Sequence, residues 1–155
     1  MVATPHAQAT DVGLDVLRRG GNAVDAAIAA NAVLAVAYPA SCGLGGDAFW
    51  IIHDPRTERT VSYNGSGRTP RTASLDTLPG GLLPLRGALA VSVPGGVRSW
   101  DDVGRAHGTR DLDELLAPAE RFAREGVAIT DVVANYVAIN EPMLRADPAS
   151  AAIFF

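Results

Sequence analysis

Three histidines, one cysteine and several clustered acids are the side chains here that could move a proton, attack an acyl carbon or hold a metal. His6, His53 and His107 are scattered along the chain, and none stands in a His-Glu-x-x-His or comparable ligand spacing. Asp101-Asp102 and Asp111-Asp113-Glu114 are acidic pairs of the kind that begin helices and coat solvated faces. No serine occupies a Gly-x-Ser-x-Gly elbow. Cys42, between Ser41 and Gly43, lacks the flanks of a diagnostic nucleophile. As a lone cysteine it can form neither an intramolecular disulfide nor a multi-cysteine zinc site. Every basic residue is arginine, so a Walker-type P-loop and a Schiff-base lysine are both excluded. Gly43-Leu44-Gly45-Gly46 suggests a dinucleotide cradle but fails on order. A Rossmann loop follows a strand and opens a helix, whereas this loop follows a helical stretch and precedes an extended one. The residues alone therefore give no nucleophile–base set, no metal site and no cofactor.

The elements that must position these residues are marked by their end signals. Val2-Ala3-Thr4 reads as a short strand, and Pro5 suits the first turn of a helix. That helix carries Val12, Val16 and Leu17 on one side, with Arg18 and Arg19 in its last turn, and Gly20-Gly21 stops it. Asn22 caps the next helix, and Asp25 adds charge to its first turn. Ala23 to Val36 is apolar nearly all round, which predicts a buried helix with close neighbours, ended by Pro39. Phe49–His53 and Thr60–Tyr63, joined by Asp54-Pro55-Arg56-Thr57, predict an antiparallel hairpin. Residues 64–87, rich in Gly, Pro, Ser and Thr, read as a long functional or poorly ordered loop with room for one helical turn. Leu89–Val93 reads as a strand, and Pro94-Gly95-Gly96 leads into a helix from Val97 to about His107. Leu112–Glu125 is a further helix, ended by Gly126, with Pro118 predicting a kink. Thr130 or Asp131 caps a helix running to about Arg145, and Asp147-Pro148 starts a last short one.

Length and composition bound the class. The chain has 155 residues, 48% of them hydrophobic and 19% charged, which is the profile of a globular domain rather than a disordered one. A net charge of -4 argues against a nucleic-acid partner. No apolar run reaches the roughly 18–20 residues needed to cross a bilayer. The N-terminus has no basic, apolar leader pattern, so the expected compartment is the cytoplasm. No repeat or internal boundary divides residues 1–155, and the apolar ending Ile153-Phe154-Phe155 reads as a chain cut in mid-structure. On that reading the buried alanine-rich helix and these last residues pack on parts that are absent, and are expected to expose apolar surface when the 155 residues stand alone.

Several of these segments carry a family resemblance. Met1-Val2-Ala3-Thr4-Pro5-His6-Ala7-Gln8-Ala9-Thr10, then Gly20-Gly21-Asn22-Ala23-Val24-Asp25-Ala26-Ala27, resembles the opening of the gamma-glutamyltransferase family. Pro39 followed by Gly43-Leu44-Gly45-Gly46-Asp47-Ala48-Phe49 is similar as well. So are Ala90–Val97, Pro118-Ala119 through Gly126, and Ala151–Phe154. The resemblance implies an α/β (α+β) chain that is part of a four-layer α/β/β/α N-terminal nucleophile hydrolase sandwich. Residues 1–155 would be a single incomplete domain, a helix-rich N-terminal segment of the large subunit containing a β-hairpin. It also implies a self-cleaving precursor whose small subunit begins with the nucleophilic threonine, with that residue's own α-amino group as general base. The catalytic residues would then lie outside these residues. The implied partners are the remainder of the large subunit, the small subunit and a small-molecule γ-glutamyl or related acyl donor, with no nucleic acid and no membrane.

One stretch departs from the family pattern. Glutathione-type members carry Arg-Glu-x-Ala-Pro after the hairpin, with the arginine on the α-carboxylate of the γ-glutamyl group. The matching stretch here is Ser66-Gly67-Arg68-Thr69-Pro70, with Ser66 at the arginine position and Gly67 at the glutamate position. Serine offers no bidentate guanidinium. Arg68, two residues on and on the same face of an extended segment, is a candidate substitute. Ser66, Gly67 and Arg68 are thus the substrate-binding candidates, and the pattern is nearer to the cephalosporin-acylase-like branch. Beside the γ-glutamyl reading stand an amidohydrolase of that acylase branch and a non-catalytic interaction module.

Overall fold

Asn22, Thr130 and Asp147 each open a helix with a side-chain cap. The structure, a computed structural model, describes all 155 residues. Its helices are α1 (Ala7–Arg18), α2 (Ala23–Ala37), α3 (Gly96–His107), α4 (Leu112–Glu125), α5 (Asp131–Ile139), α6 (Glu141–Ala146) and α7 (Pro148–Phe154). Strands β1 (Ala48–Asp54) and β2 (Arg59–Gly65) form one antiparallel hairpin, in register from Ala48 opposite Gly65 to Asp54 opposite Arg59. Three short 3-10 turns lie between β2 and α3. No helix is long and apolar enough to cross a membrane.

The helix α2 is the centre of the molecule, packed against α1, α3 and α4. Ile28, Ala29, Val33 and Ala37 are fully enclosed. Its small side chains admit close neighbours. A Cβ at Gly13 of α1 would lie 3.3 Å from the Ala26 carbonyl oxygen and 2.9 Å from Val2 Cγ1. The expectation that α2 exposes apolar surface is therefore corrected: α1, α3 and α4 cover it from within this chain. The apolar surface that is exposed lies elsewhere, on Phe49 and Ile51 of the outer hairpin face, on Leu82 and Leu85 of the long loop, and on Ile139 and Ile153.

The start of α2 is built on a buried charge. Asn22 Oδ1 accepts from the Val24 and Asp25 amides, while Asp25 Oδ2 accepts from the Asn22 amide at 2.8 Å, a reciprocal capping box. The same buried carboxylate reaches across to the turn between α3 and α4. It accepts from the Thr109 amide at 2.8 Å, the Thr109 hydroxyl at 2.6 Å and the Arg110 amide at 3.3 Å. Asn22 Nδ2 completes the link by donating to the His107 carbonyl at 2.7 Å. Burial alone would raise the Asp25 pKa. The Thr109 hydroxyl and the Asn22, Thr109 and Arg110 amides outweigh it and hold the carboxyl below its ordinary value.

The hairpin docks on α3 through alternate residues. Trp50, Ile52 and Tyr63 face the helical core, and Trp50 Nε1 donates to Ser99 Oγ at 3.0 Å. Tyr63 meets His107 edge-on, with its hydroxyl 2.7 Å from His107 Nε2.

Three expectations are corrected. Val2–Thr4 is not a strand, because no neighbouring strand supplies a ladder; Val2 packs on Gly13 instead. Leu89–Val93 is not a strand either: Ala88–Ala90 is a 3-10 turn, and Val93 makes a single backbone bond to Arg68, at 3.0 Å. The helix expected to run from 131 to about Arg145 breaks at Asn140, which ends α5 and begins α6. Pro142 is the cause, since it has no N–H for a helical bond and its ring crowds the preceding turn. Thr130, not Asp131, is the cap of α5. Pro118 is tolerated inside α4, which runs unbroken through it.

Replacing Asp25 by Asn leaves the Thr109 and Arg110 donors facing a neutral, partly donating group, and an expected loss of about 3 kcal/mol follows. The folded pKa of Asp25 lies below the unfolded one, so its contribution is fully present above about pH 5 and is lost as pH falls below about 4. Denaturant unfolding across that window should show an acid loss of stability in the parent that is reduced in Asp25→Asn. Equal slopes would mean that this carboxylate is not the group responsible.

Candidate functional site

The segment after β2 crosses the start of α3 at backbone distance, and this crossing builds the site. Gly46 places its carbonyl where both the Gly95 and Gly96 amides donate to it, at 3.2 and 2.9 Å. Asp47 Oδ1 accepts from the Gly67 amide at 2.8 Å and from Ser92 Oγ at 3.3 Å. Arg68 contributes its carbonyl to the Val93 amide. Asn64 Oδ1 accepts from the Ser66 amide at 2.9 Å and turns the chain out of the strand.

Glycine is required where these segments touch. A Cβ on Gly67 would sit 1.4 Å from the Val93 carbonyl oxygen. One on Gly95 would sit 2.4 Å from the Gly65 carbonyl oxygen. These positions hold no side chain because another backbone occupies the space.

A cleft of about 380 Å³ opens beside the crossing. Its walls include Tyr63, Asn64, Ser66, Arg68, Arg98 and Asp102. Arg98 is engaged with Asp102 at 2.8 Å. Arg68 is exposed on the wall and has no acidic partner. Ser66 Oγ donates to the neighbouring Gly67 carbonyl at 3.2 Å. The structure thus brings Ser66 and Arg68 to one cleft, with Gly67 beneath them as a backbone contact rather than a lining side chain. Chemically, the cleft offers one uncommitted guanidinium and several neutral hydrogen-bonding groups, which suits a carboxylate or an acyl oxygen.

The other chemistry-bearing residues do not converge on it. His53 pairs with Thr60 across the hairpin at 3.0 Å, His6 is buried at the start of α1 with both ring nitrogens unpartnered, and His107 faces Tyr63. Burial pushes the Cys42 thiol pKa up, opposite to the shift that activates a cysteine nucleophile. Asp101 and Asp102 are paired with Arg105 and Arg98 on α3. Asp111, Asp113 and Glu114 begin α4. No three His, Cys, Asp or Glu side chains share a point where a metal ion could be held. Reading the sequence alone missed Asp47, Asn64 and Arg98. Asn64 had a usable signal, an Asx turn at a strand end. Asp47 had none, since its partners are distant in sequence; Arg98 has its ion-pair partner Asp102 four residues on, but nothing local marked that it would line a cleft with residues 63–68.

Residues 9–155 match the family described as Gamma-glutamyltranspeptidase. The chain belongs to that family. The Bacillus subtilis (strain 168) glutathione hydrolase-like YwrD proenzyme is 40% identical over 156 residues, which is 99% of this chain and 30% of that relative. Among solved structures, Helicobacter pylori gamma-glutamyltranspeptidase superposes with a TM-score of 0.89 at 30% identity, over 96% of this chain and 44% of its own. Cephalosporin acylase from Bacillus halodurans does so with a TM-score of 0.81 at 35% identity, over 89% of this chain and 26% of its own. The fold is the family's N-terminal nucleophile hydrolase fold, represented here by helices on one hairpin. The chain spans less than a third of the YwrD proenzyme's length.

Gly67→Ala is expected to lower stability by about 1–3 kcal/mol, because the Val93 carbonyl must retreat. Gly43→Ala and Gly45→Ala, where nothing lies within 4 Å of the added carbon, should stay within about 0.5 kcal/mol of the parent. Chemical unfolding of the three variants makes the comparison, and equal effects would mean that Gly67 and Val93 are not in contact.

Proposed function

We propose that these residues are part of the large subunit of an acyl-transferring hydrolase, and that Ser66, Gly67 and Arg68 form part of its donor site. The donor is a γ-glutamyl or related acyl compound, and the acyl group passes to water, an amino acid or a peptide. The nucleophile of this reading is a threonine outside the 155 residues. The observation that supports the reading most directly is the cleft at the β2–α3 crossing, with unpaired Arg68 on its wall. A free guanidinium there would meet a donor carboxylate by charge-assisted hydrogen bonds.

Ser66 favours a second reading within the same chemistry. With serine at the family's arginine position, a γ-glutamyl head loses a two-point partner worth roughly 1.5–3 kcal/mol. At about 1.4 kcal/mol per tenfold, recognition weakens on the order of tenfold to a hundredfold. An amidohydrolase acting on acyl donors without an α-amino acid head would not incur that loss. The likeness to cephalosporin acylase is consistent with this reading.

The test is a donor panel on the full-length, self-cleaved protein. Donors without the amino-acid head should exceed glutathione in kcat/KM, and Ser66→Arg should move the preference toward γ-glutamyl donors. Arg68→Ala should raise KM for carboxylate-bearing donors. The 155-residue chain alone should not hydrolyse γ-glutamyl-p-nitroanilide. Strong glutathione turnover unaffected by Arg68→Ala would show that other groups bind the carboxylate.

A further inference from the structure

We propose that Asp47 is a positioning residue for donor binding, acting through the peptide that carries Arg68. The inference rests on the reading of residues 66–68 as part of the donor site. Asp47 stands outside the cleft wall, and its bonds are to neighbours 20 and 45 residues away in sequence. Its Oδ1 takes the Gly67 amide from one side and the Ser92 hydroxyl from the other, at 2.8 and 3.3 Å. One carboxylate oxygen therefore ties the 66–68 segment to the 92–93 segment. Arg68 is the next residue along, and its carbonyl is held by the Val93 amide at 3.0 Å. The chain at Arg68 is thus held on both sides: Asp47 binds the N–H of Gly67, one residue before it, and Val93 binds the carbonyl of Arg68 itself.

The arrangement also explains why an acid follows the glycine loop. Gly46 binds the start of α3 through its carbonyl, and Asp47 binds the 66–68 segment through its side chain. Adjacent residues thereby set the spacing between the two walls of the cleft. Without the Asp47 oxygen, the Gly67 amide has no partner, and the Ser66–Arg68 segment keeps only the bonds from the Val93 amide to the Arg68 carbonyl and from the Ser66 amide to Asn64, so it is held less closely. Displacement of a binding group by an ångström is enough to weaken a charged contact severely.

What the Gly67 amide needs is an acceptor oxygen, not a charge. Asparagine supplies one and alanine does not. In the self-cleaved full-length enzyme, Asp47→Ala should raise KM for a carboxylate-bearing donor on the order of tenfold, with kcat changed less than twofold. Asp47→Asn should restore most of the loss. Asp47→Ala combined with Arg68→Ala should be no worse than Arg68→Ala alone, because both act on one contact. In the unmodified protein, the Gly67 amide should be protected from hydrogen exchange, a readout that needs no variant.

Several results would overturn the inference. One is an Asp47→Ala enzyme with unchanged KM beside an Arg68→Ala enzyme with raised KM; that rejects the role of Asp47 and leaves the donor-site reading standing. Unchanged KM in Arg68→Ala rejects the donor-site reading and this inference with it. Additive effects in the double variant, or Asp47→Asn as impaired as Asp47→Ala, would assign Asp47 an independent or electrostatic role. Rapid exchange at Gly67 would remove the contact itself.

Discussion

The buried carboxylate of Asp25 is the constraint on which the arrangement of helices depends. A charge removed from water is tolerated only when its lone pairs are filled. Here the donors come from the α1–α2 turn and from the α3–α4 turn. Satisfying the charge therefore fixes where α3 and α4 sit around α2. The position of α3 in turn sets the hairpin, through Trp50 on Ser99 and Tyr63 on His107. The cleft lies between the end of that hairpin and the first turns of α3. A polar group in the core thus specifies geometry at a surface it never touches.

The two ends of α3 are held by different means. Its C-terminal end is fixed by side chains, with Asn22 on the His107 carbonyl and Asp25 on the turn beyond. Its N-terminal end is fixed almost entirely by backbone, with the Gly46 carbonyl on two amides and glycines where chains cross. Side-chain bonds need particular residues at two positions. Backbone crossings need only the absence of a Cβ, which is why this end is written in the sequence as scattered glycines.

Local signals in the sequence mark most helix ends and the hairpin, whereas contacts between distant residues leave no such mark. Asn22 with Asp25, Gly20-Gly21, Gly126 and Asp147-Pro148 each mark a boundary through bonds within a few residues, and each boundary lies where those signals put it. The hairpin was legible from its alternation and turn residues. Val2–Thr4 and Leu89–Val93 misled because an apolar run has strand character only when another strand lies beside it. Pro142 was passed over because the apolar pattern continues beyond it. At the site, the resemblance pointed to residues 66–68, but Asp47 and Arg98 depend on folding that brings the glycine loop and α3 to that segment. No spacing rule within the chain encodes such meetings.

The crossing at Gly67 has a consequence for how this chain can change. Ser66 and Arg68 face the cleft, yet the path of their segment is held by the Gly67 amide, the Arg68 carbonyl and the Asn64 side chain. The side chains at 66 and 68 take no part in holding it beyond a bond from Ser66 to its own neighbour. Those two positions can therefore be exchanged in a lineage without the loop having to find a new course. The course of the segment and the side chains it presents are separable here: a glycine and an acid hold the first, and the neighbouring side chains take almost no part in it. A scaffold divided in this way can change the side chains that line its cleft by single steps, each of which leaves a folded protein for selection to act on.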